Sequence, residues 1–161
     1  MVPADIEEVL QPDEKPENYV RRLATEKAQA VMYKTDLQSF DLVLSADTIV
    51  VYQHHILEKP QSANEAYNML SMLSGKTHEV YTGYALLFLP QQQWQVNYVS
   101  TRITFHQLTD QQINEYIASG EPFDKAGAYG IQQVFSTFVK EIDGSFYNVM
   151  GLPIERILQE L

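Results

Sequence analysis

An acid stands in the middle of an apolar, β-branched run. Asp47 interrupts Leu44-Ser45-Ala46-Asp47-Thr48-Ile49-Val50-Val51, and Leu42 to Tyr52 has the composition of a central sheet strand. A carboxylate in such a strand must be desolvated unless it meets a cation, a metal ion or a hydrogen-bond donor. In chemistry it can take up a proton or hold a metal. Two lysines could answer it. Lys59 precedes Pro60, which fixes the local backbone and so aims the ammonium, and Lys27 lies on a stretch with helical spacing. A further segment sets Asp124 and Lys125 ahead of Gly127 and Gly130, and such glycines let backbone amides approach an anion or a flat ring. Each feature alone has a plainer alternative. Asp47 could cap a loop, Lys27 could be a solvated surface residue, and Asp124 and Lys125 could pair with each other.

The elements that must position these groups follow from hydrophobic spacing. The first stretch, to about Pro16, is polar and predicts a loop with a short extended piece. Glu17 to Lys34 predicts a helix through Val20, Leu23, Ala24 and Ala28, opened by Pro16. Ser62-Ala63-Asn64-Glu65 is a capping-box pattern, followed by an apolar stripe at Ala66, Met69, Leu70 and Leu73 that Gly75 ends. Glu79 to Leu89 and Gln95 to Phe105 predict a long antiparallel pair joined through Pro90 and three glutamines. Thr109-Asp110-Gln111-Gln112 opens a helix that buries Ile113, Tyr116 and Ile117 and stops at Gly120. Beyond the Gly-rich segment, Phe135 to Ile142 and Phe146 to Met150 predict a hairpin turned at Asp143-Gly144, and a last helix runs through Ile154, Ile157, Leu158 and Leu161. No internal repeat or linker divides the chain, which predicts one mixed α/β domain.

Composition narrows the classes of function. The length of 161 residues suits one domain with a sizeable core, and a 45% hydrophobic fraction is ordinary for a globular protein. The absence of cysteine excludes a disulfide framework, a thiolate metal site and a thiol nucleophile, which is compatible with the expected cytoplasmic location. No apolar run approaches the ~20 residues of a membrane span. A formal charge of -10 argues against a nucleic-acid partner. His54 and His55 are expected in an exposed turn, His78 as a polar edge residue, and Ser74 has no visible base partner.

Four segments taken in order point further: Ala46-Asp47-Thr48, Glu58-Lys59-Pro60, Leu73 to Gly83, and Asp124 to Gln132 with its Tyr129-Gly130-Ile131-Gln132. Together they resemble the Maf family of nucleotide pyrophosphatases, relatives of the inosine triphosphate pyrophosphatases, from about Ile6 to Leu161. The resemblance implies a mixed α/β fold with an elongated twisted sheet flanked by helices. It implies hydrolysis of a nucleoside triphosphate to the monophosphate and pyrophosphate, with Asp47 as the proton acceptor and Lys27 and Lys59 offsetting phosphate charge. Glu8 matches a family acid that helps Asp47 hold a divalent cation, Mg²⁺ or Mn²⁺. Such a cation would also carry an anionic substrate into an acidic protein. Thr48 and Gln132 match the subgroup acting on dTTP and UTP, and a primary amide suits the imide edge of uracil or thymine because it donates and accepts at once. Asp124 and Lys125 are expected to bind substrate, and the family suggests a homodimer. Family members begin with a strand and a Ser-x-Ser-Pro-Arg-Arg loop upstream of the segment matching Met1 to Glu8, so the chain is expected to lack that part of the fold. The alternative expectation is therefore a relative that binds nucleotide or a protein partner without turnover.

Overall fold

The computed structural model describes residues 2–4, 6–34, 40–89 and 91–161. Helix α1 covers Pro16–Lys34, strand β1 Leu42–Tyr52, strand β2 His55–Leu57 and helix α2 Ala63–Leu73. Strands β3, Thr77–Phe88, and β4, Gln93–Phe105, are followed by helix α3, Asp110–Ala118. Three 3-10 turns follow at Glu121–Asp124, Ala126–Ala128 and Gln133–Phe138, then β5, Val139–Asp143, and the short helices α4, Phe146–Val149, and α5, Ile154–Ile157. The strands form a five-stranded antiparallel sheet in the order β2-β1-β3-β4-β5, flanked by helices.

Strand alternation sends successive side chains of β1 to opposite faces. Ile49 and Val51 pack against Tyr19, Val20 and Leu23 of α1. Val50 faces the larger core, with Val80, Ile103 and Phe105 of the sheet set against Leu70 and Leu73 of α2 and Ile113 and Tyr116 of α3. Helix α1 lies directly on the sheet because Gly83 has no side chain: a Cβ there would stand 2.3 Å from the main chain of Val20. Gly83 is also the register partner of Asp47. Lys27 is two turns beyond Val20 on the same helical face, so this close approach delivers it to Asp47.

The long pair predicted at 79–89 and 95–105 is present, with Thr77 opposite Thr104 and Phe88 opposite Gln93. Pro90 of its connection lies outside the described residues. Around α3 the capping box is complete, whereas at α2 Ser62 accepts from the Glu65 amide while Glu65 takes the amide of Gln61. The predicted hairpin after residue 135 is corrected. Residues 133–138 coil into a 3-10 turn, and the sequence after Gly144 forms α4, because Ser145 caps that helix and Asn148 is drawn into the core. The last helix is also shorter than its apolar spacing suggested. Only Ile157 is buried there, while Leu158 and Leu161 are exposed.

Candidate active site

Strand β2 pairs with β1 only at Val50, Val51 and Tyr52, so among the described residues the rest of β1 has no strand on that side. A cleft of about 780 Å³ opens along this flank, a volume suited to a small-molecule ligand. It is lined by both Asp47 and Thr48, neighbours that point to opposite faces, so the cleft wraps the edge of the strand. Glu8, Lys27, Lys59, Asp124, Lys125 and Gln132 line the same space. The structure thus brings the candidate catalytic, metal-binding and substrate-binding residues to one cavity.

The charged side is built on Lys27. Its ammonium bonds to Asp47 Oδ1 and lies 2.7 Å from Glu8 Oε1. Burial opposes the charge on Lys27, but Asp47 and then Glu8 outweigh it, and the lysine pKa is raised. Asp47 is 7% exposed, and burial lifts its carboxyl above the ordinary carboxylate range. Lys27 opposes that shift, Glu8 adds to it and Lys59 opposes it again. A buried carboxylate with a raised pKa and a charged partner is the arrangement expected of a base that must hold a proton briefly. Among the described residues no three acids or histidines form a ready cage for a metal. Mg²⁺, however, is commonly held by one or two carboxylates together with substrate phosphates and waters. Glu8 and Asp47 converge on a single ammonium, so they can converge on a divalent cation, and the donor set fits.

The opposite side is largely neutral. Thr48 and Thr82 face each other across β1 and β3 with their hydroxyl oxygens 2.9 Å apart, and Thr82 donates to the main-chain oxygen of Asn148 at 2.8 Å. Asn148 is fully buried and donates to Val80 O and to Thr101 Oγ1, both at 3.0 Å. This anchors the segment Val149-Met150-Gly151, which lines the cleft. The Gly-rich wall is anchored separately. Tyr129 bonds to His78 Nε2 at 2.7 Å, and the amide of Gly130 donates to the Tyr116 hydroxyl at 3.2 Å. Gly127 has φ of 66°, and a Cβ on it would press on the side chain of Val50 at 2.9 Å, so the turn admits only glycine without displacement. Gln132 is exposed toward the cleft. Asp124 and Lys125 pair with each other at 2.6 Å, and Lys125 holds the exposed Asp124 carboxyl below its usual range.

His78 is a correction. It is 2% exposed on the central strand, wedged edge-on against Phe105 and Tyr129, and burial lowers its pKa to about 4. Thr82 and Asn148 have no signature in the sequence, since an isolated threonine in a strand and an asparagine after a turn carry no pattern of their own. The Ser74 hydroxyl is structural and accepts the Leu108 amide at 2.7 Å. No helix among the described residues is long and apolar enough to cross a membrane.

Comparison with known proteins adds a family. A family model described as Maf-like protein matches residues 1–161. A Bacillus cereus protein named dTTP/UTP pyrophosphatase is 47% identical over 161 residues, covering 100% of this chain and 82% of its own length. Its counterpart in a second strain is 46% identical with the same coverage, and one in a third is 47% identical over 77% of its length.

Proposed function

The chain belongs to the Maf family, and on that premise we propose that it hydrolyses dTTP and UTP to the nucleoside monophosphate and pyrophosphate. The observation that carries the reading is the buried Asp47 carboxylate, ion-paired to Lys27 in the lining of a cleft that also presents Lys59 and Lys125. Few other groups are needed for phosphoanhydride cleavage, because catalysis there rests on positioning and charge. A water held by Asp47 attacks the α-phosphorus and gives up a proton to the carboxylate. The new bond joins that water oxygen to phosphorus, and the α–β bridging bond breaks with its electron pair leaving on pyrophosphate. Lys27 and Lys59 offset the charge that gathers on the phosphate oxygens. Glu8 and Asp47 would hold a divalent cation, Mg²⁺ or Mn²⁺, whose chemistry is to gather phosphate oxygens and acidify water. Thr48 and Gln132 read the pyrimidine, while Asp124 and Lys125 close the outer wall. The exposed side chains of Phe146, Tyr147, Met150, Ile154 and Leu158 support a homodimer, which sedimentation across a concentration series checks.

Pyrophosphate release from dTTP, UTP, CTP, ATP and 7-methyl-GTP, with Mg²⁺ or Mn²⁺, tests the reading. Turnover of dTTP and UTP that disappears in Asp47→Ala is the expected result. Silence on every substrate from folded protein, with a thermal shift in UTP, would replace hydrolysis with binding alone.

A further inference from the structure

The hydroxyl chain behind Thr48 has a direction. A threonine hydroxyl carries one hydrogen and two lone pairs. Thr82 is fully buried and spends its hydrogen on the Asn148 carbonyl, 2.8 Å away. The Thr48 hydroxyl, 2.9 Å from that of Thr82, must then be the donor in the contact between them. With its hydrogen pointed inward, Thr48 has only lone pairs left for the cleft. The terminal carbonyl cannot swing away to reverse the chain. Asn148 is held by its amide to Val80 O and Thr101 Oγ1, and Ser145 Oγ takes its main-chain N–H at 3.2 Å. Gly151, with φ of 98°, keeps the space beside Thr48 clear, since a Cβ there would come within 3.3 Å of Thr48 Oγ1.

We propose that Thr82 is a positioning residue that fixes the Thr48 hydroxyl as a hydrogen-bond acceptor, so that the ligand group bound there must carry a hydrogen. Resting on the reading that Thr48 faces the nucleobase, the group is the N3–H of the uracil or thymine imide. Cytosine presents a bare lone pair at N3, and two lone pairs facing each other without a proton leave both desolvated and unpaired. A site built around one such bond commonly rejects the analogue lacking it by far more than a hydrophobic pocket could. A sugar hydroxyl could offer the same donor chemistry, and the substrate series separates the two.

The experiment measures kcat/KM and calorimetric affinity for UTP, CTP, N3-methyl-UTP and 3′-deoxy-UTP with Mg²⁺ on the wild type, Thr82→Val and Thr82→Ser. The wild type is expected to reject CTP and N3-methyl-UTP by at least about a hundredfold while accepting 3′-deoxy-UTP. Thr82→Val frees the Thr48 hydroxyl to rotate and donate, so the UTP:CTP ratio falls about tenfold or more, and Thr82→Ser restores it. A merely structural role for Thr82 would lower all substrates together and leave the ratio intact, which overturns the proposal. Free acceptance of N3-methyl-UTP by the wild type overturns it without any variant, as does sensitivity to the 3′-hydroxyl alone. UTP that binds selectively but is never cleaved would contradict the hydrolase reading and leave this one standing. Equal affinity for UTP and N3-methyl-UTP, or no affinity for UTP at millimolar concentration, would end it.

Discussion

Asp47 and Thr48 are consecutive residues of one strand, and the environments on the two faces of β1 differ in kind. On the α1 face, a lysine is shared between two carboxylates, one buried and one exposed. Those groups carry full charges, respond to pH and can exchange partners when an anion or cation arrives. On the opposite face, Thr48, Thr82, Asn148 and Thr101 form a neutral network that ends on backbone carbonyls. Its members are packed and bonded to one another, so it has little freedom to adapt. Under the proposed function the two faces divide the work, with groups that can change state serving the reaction and groups that cannot serving recognition.

The largest test of this contrast removes the reactive carboxylate. Asp47→Ala should lower kcat about a thousandfold with a modest change in KM, because general-base groups contribute on that order. A drop confined to KM would assign Asp47 to binding. A network residue should behave in the opposite way. Asn148→Ala leaves a threonine hydroxyl and the Val80 carbonyl without their buried partner and should cost about 2–3 kcal/mol in urea unfolding. UTP turnover should follow the folded fraction, while the UTP:CTP ratio should fall because the main-chain carbonyl at residue 148 loses the side-chain amide that holds it.

The neutral face also contains a titratable group that resists titration. His78 has an ordinary pKa of 6.5 that burial depresses to about 4 in the folded protein. The unfolded chain takes up that proton first as pH falls, so stability is full above pH 6.5 and is lost progressively toward pH 4. The loss amounts to about 3 kcal/mol at ~1.4 kcal/mol per unit. Unfolding measured across this window should show it, and His78→Asn should flatten the slope. An unchanged slope in the variant would assign the acid sensitivity to other groups.

The smallest effects should be shifts of a pH profile. Asp47 must be ionised to accept a proton, and its raised pKa places the acid limb of kcat/KM above the ordinary value of 3.8. Glu8 raises that pKa and Lys27 lowers it. Glu8→Gln should therefore move the limb to lower pH and Lys27→Met to higher pH. Shifts in the same direction would contradict the shared-ammonium geometry.

The charged face was legible in the sequence because each of its groups breaks a pattern. Asp47 interrupts an apolar strand, Lys59 leans on a proline, and Lys27 sits in a helix whose buried stripe predicts its face. Gly127 marked its wall for a related reason, since its φ of 66° and its contact with Val50 leave no place for a Cβ. The neutral face was nearly silent. Thr82 and Asn148 acquire meaning only when β1 and β3 pair in register and α4 folds over them, contacts 34 and 66 residues apart in the chain. The false hairpin has the same origin: Phe146 to Met150 looks like a strand until Ser145 caps it and Asn148 is buried. A lone histidine reads as an edge residue because the sequence gives no signal of its tyrosine partner, 51 residues away.

In the proposed reaction, water held by Asp47 attacks the α-phosphorus. Hydrolysis of UTP in ¹⁸O-labelled water, with both products analysed by mass spectrometry, tests it most directly. Attack at the α-phosphorus puts one labelled oxygen in UMP and none in pyrophosphate. Label in pyrophosphate would move the attack to the β-phosphorus and contradict the role assigned to Asp47.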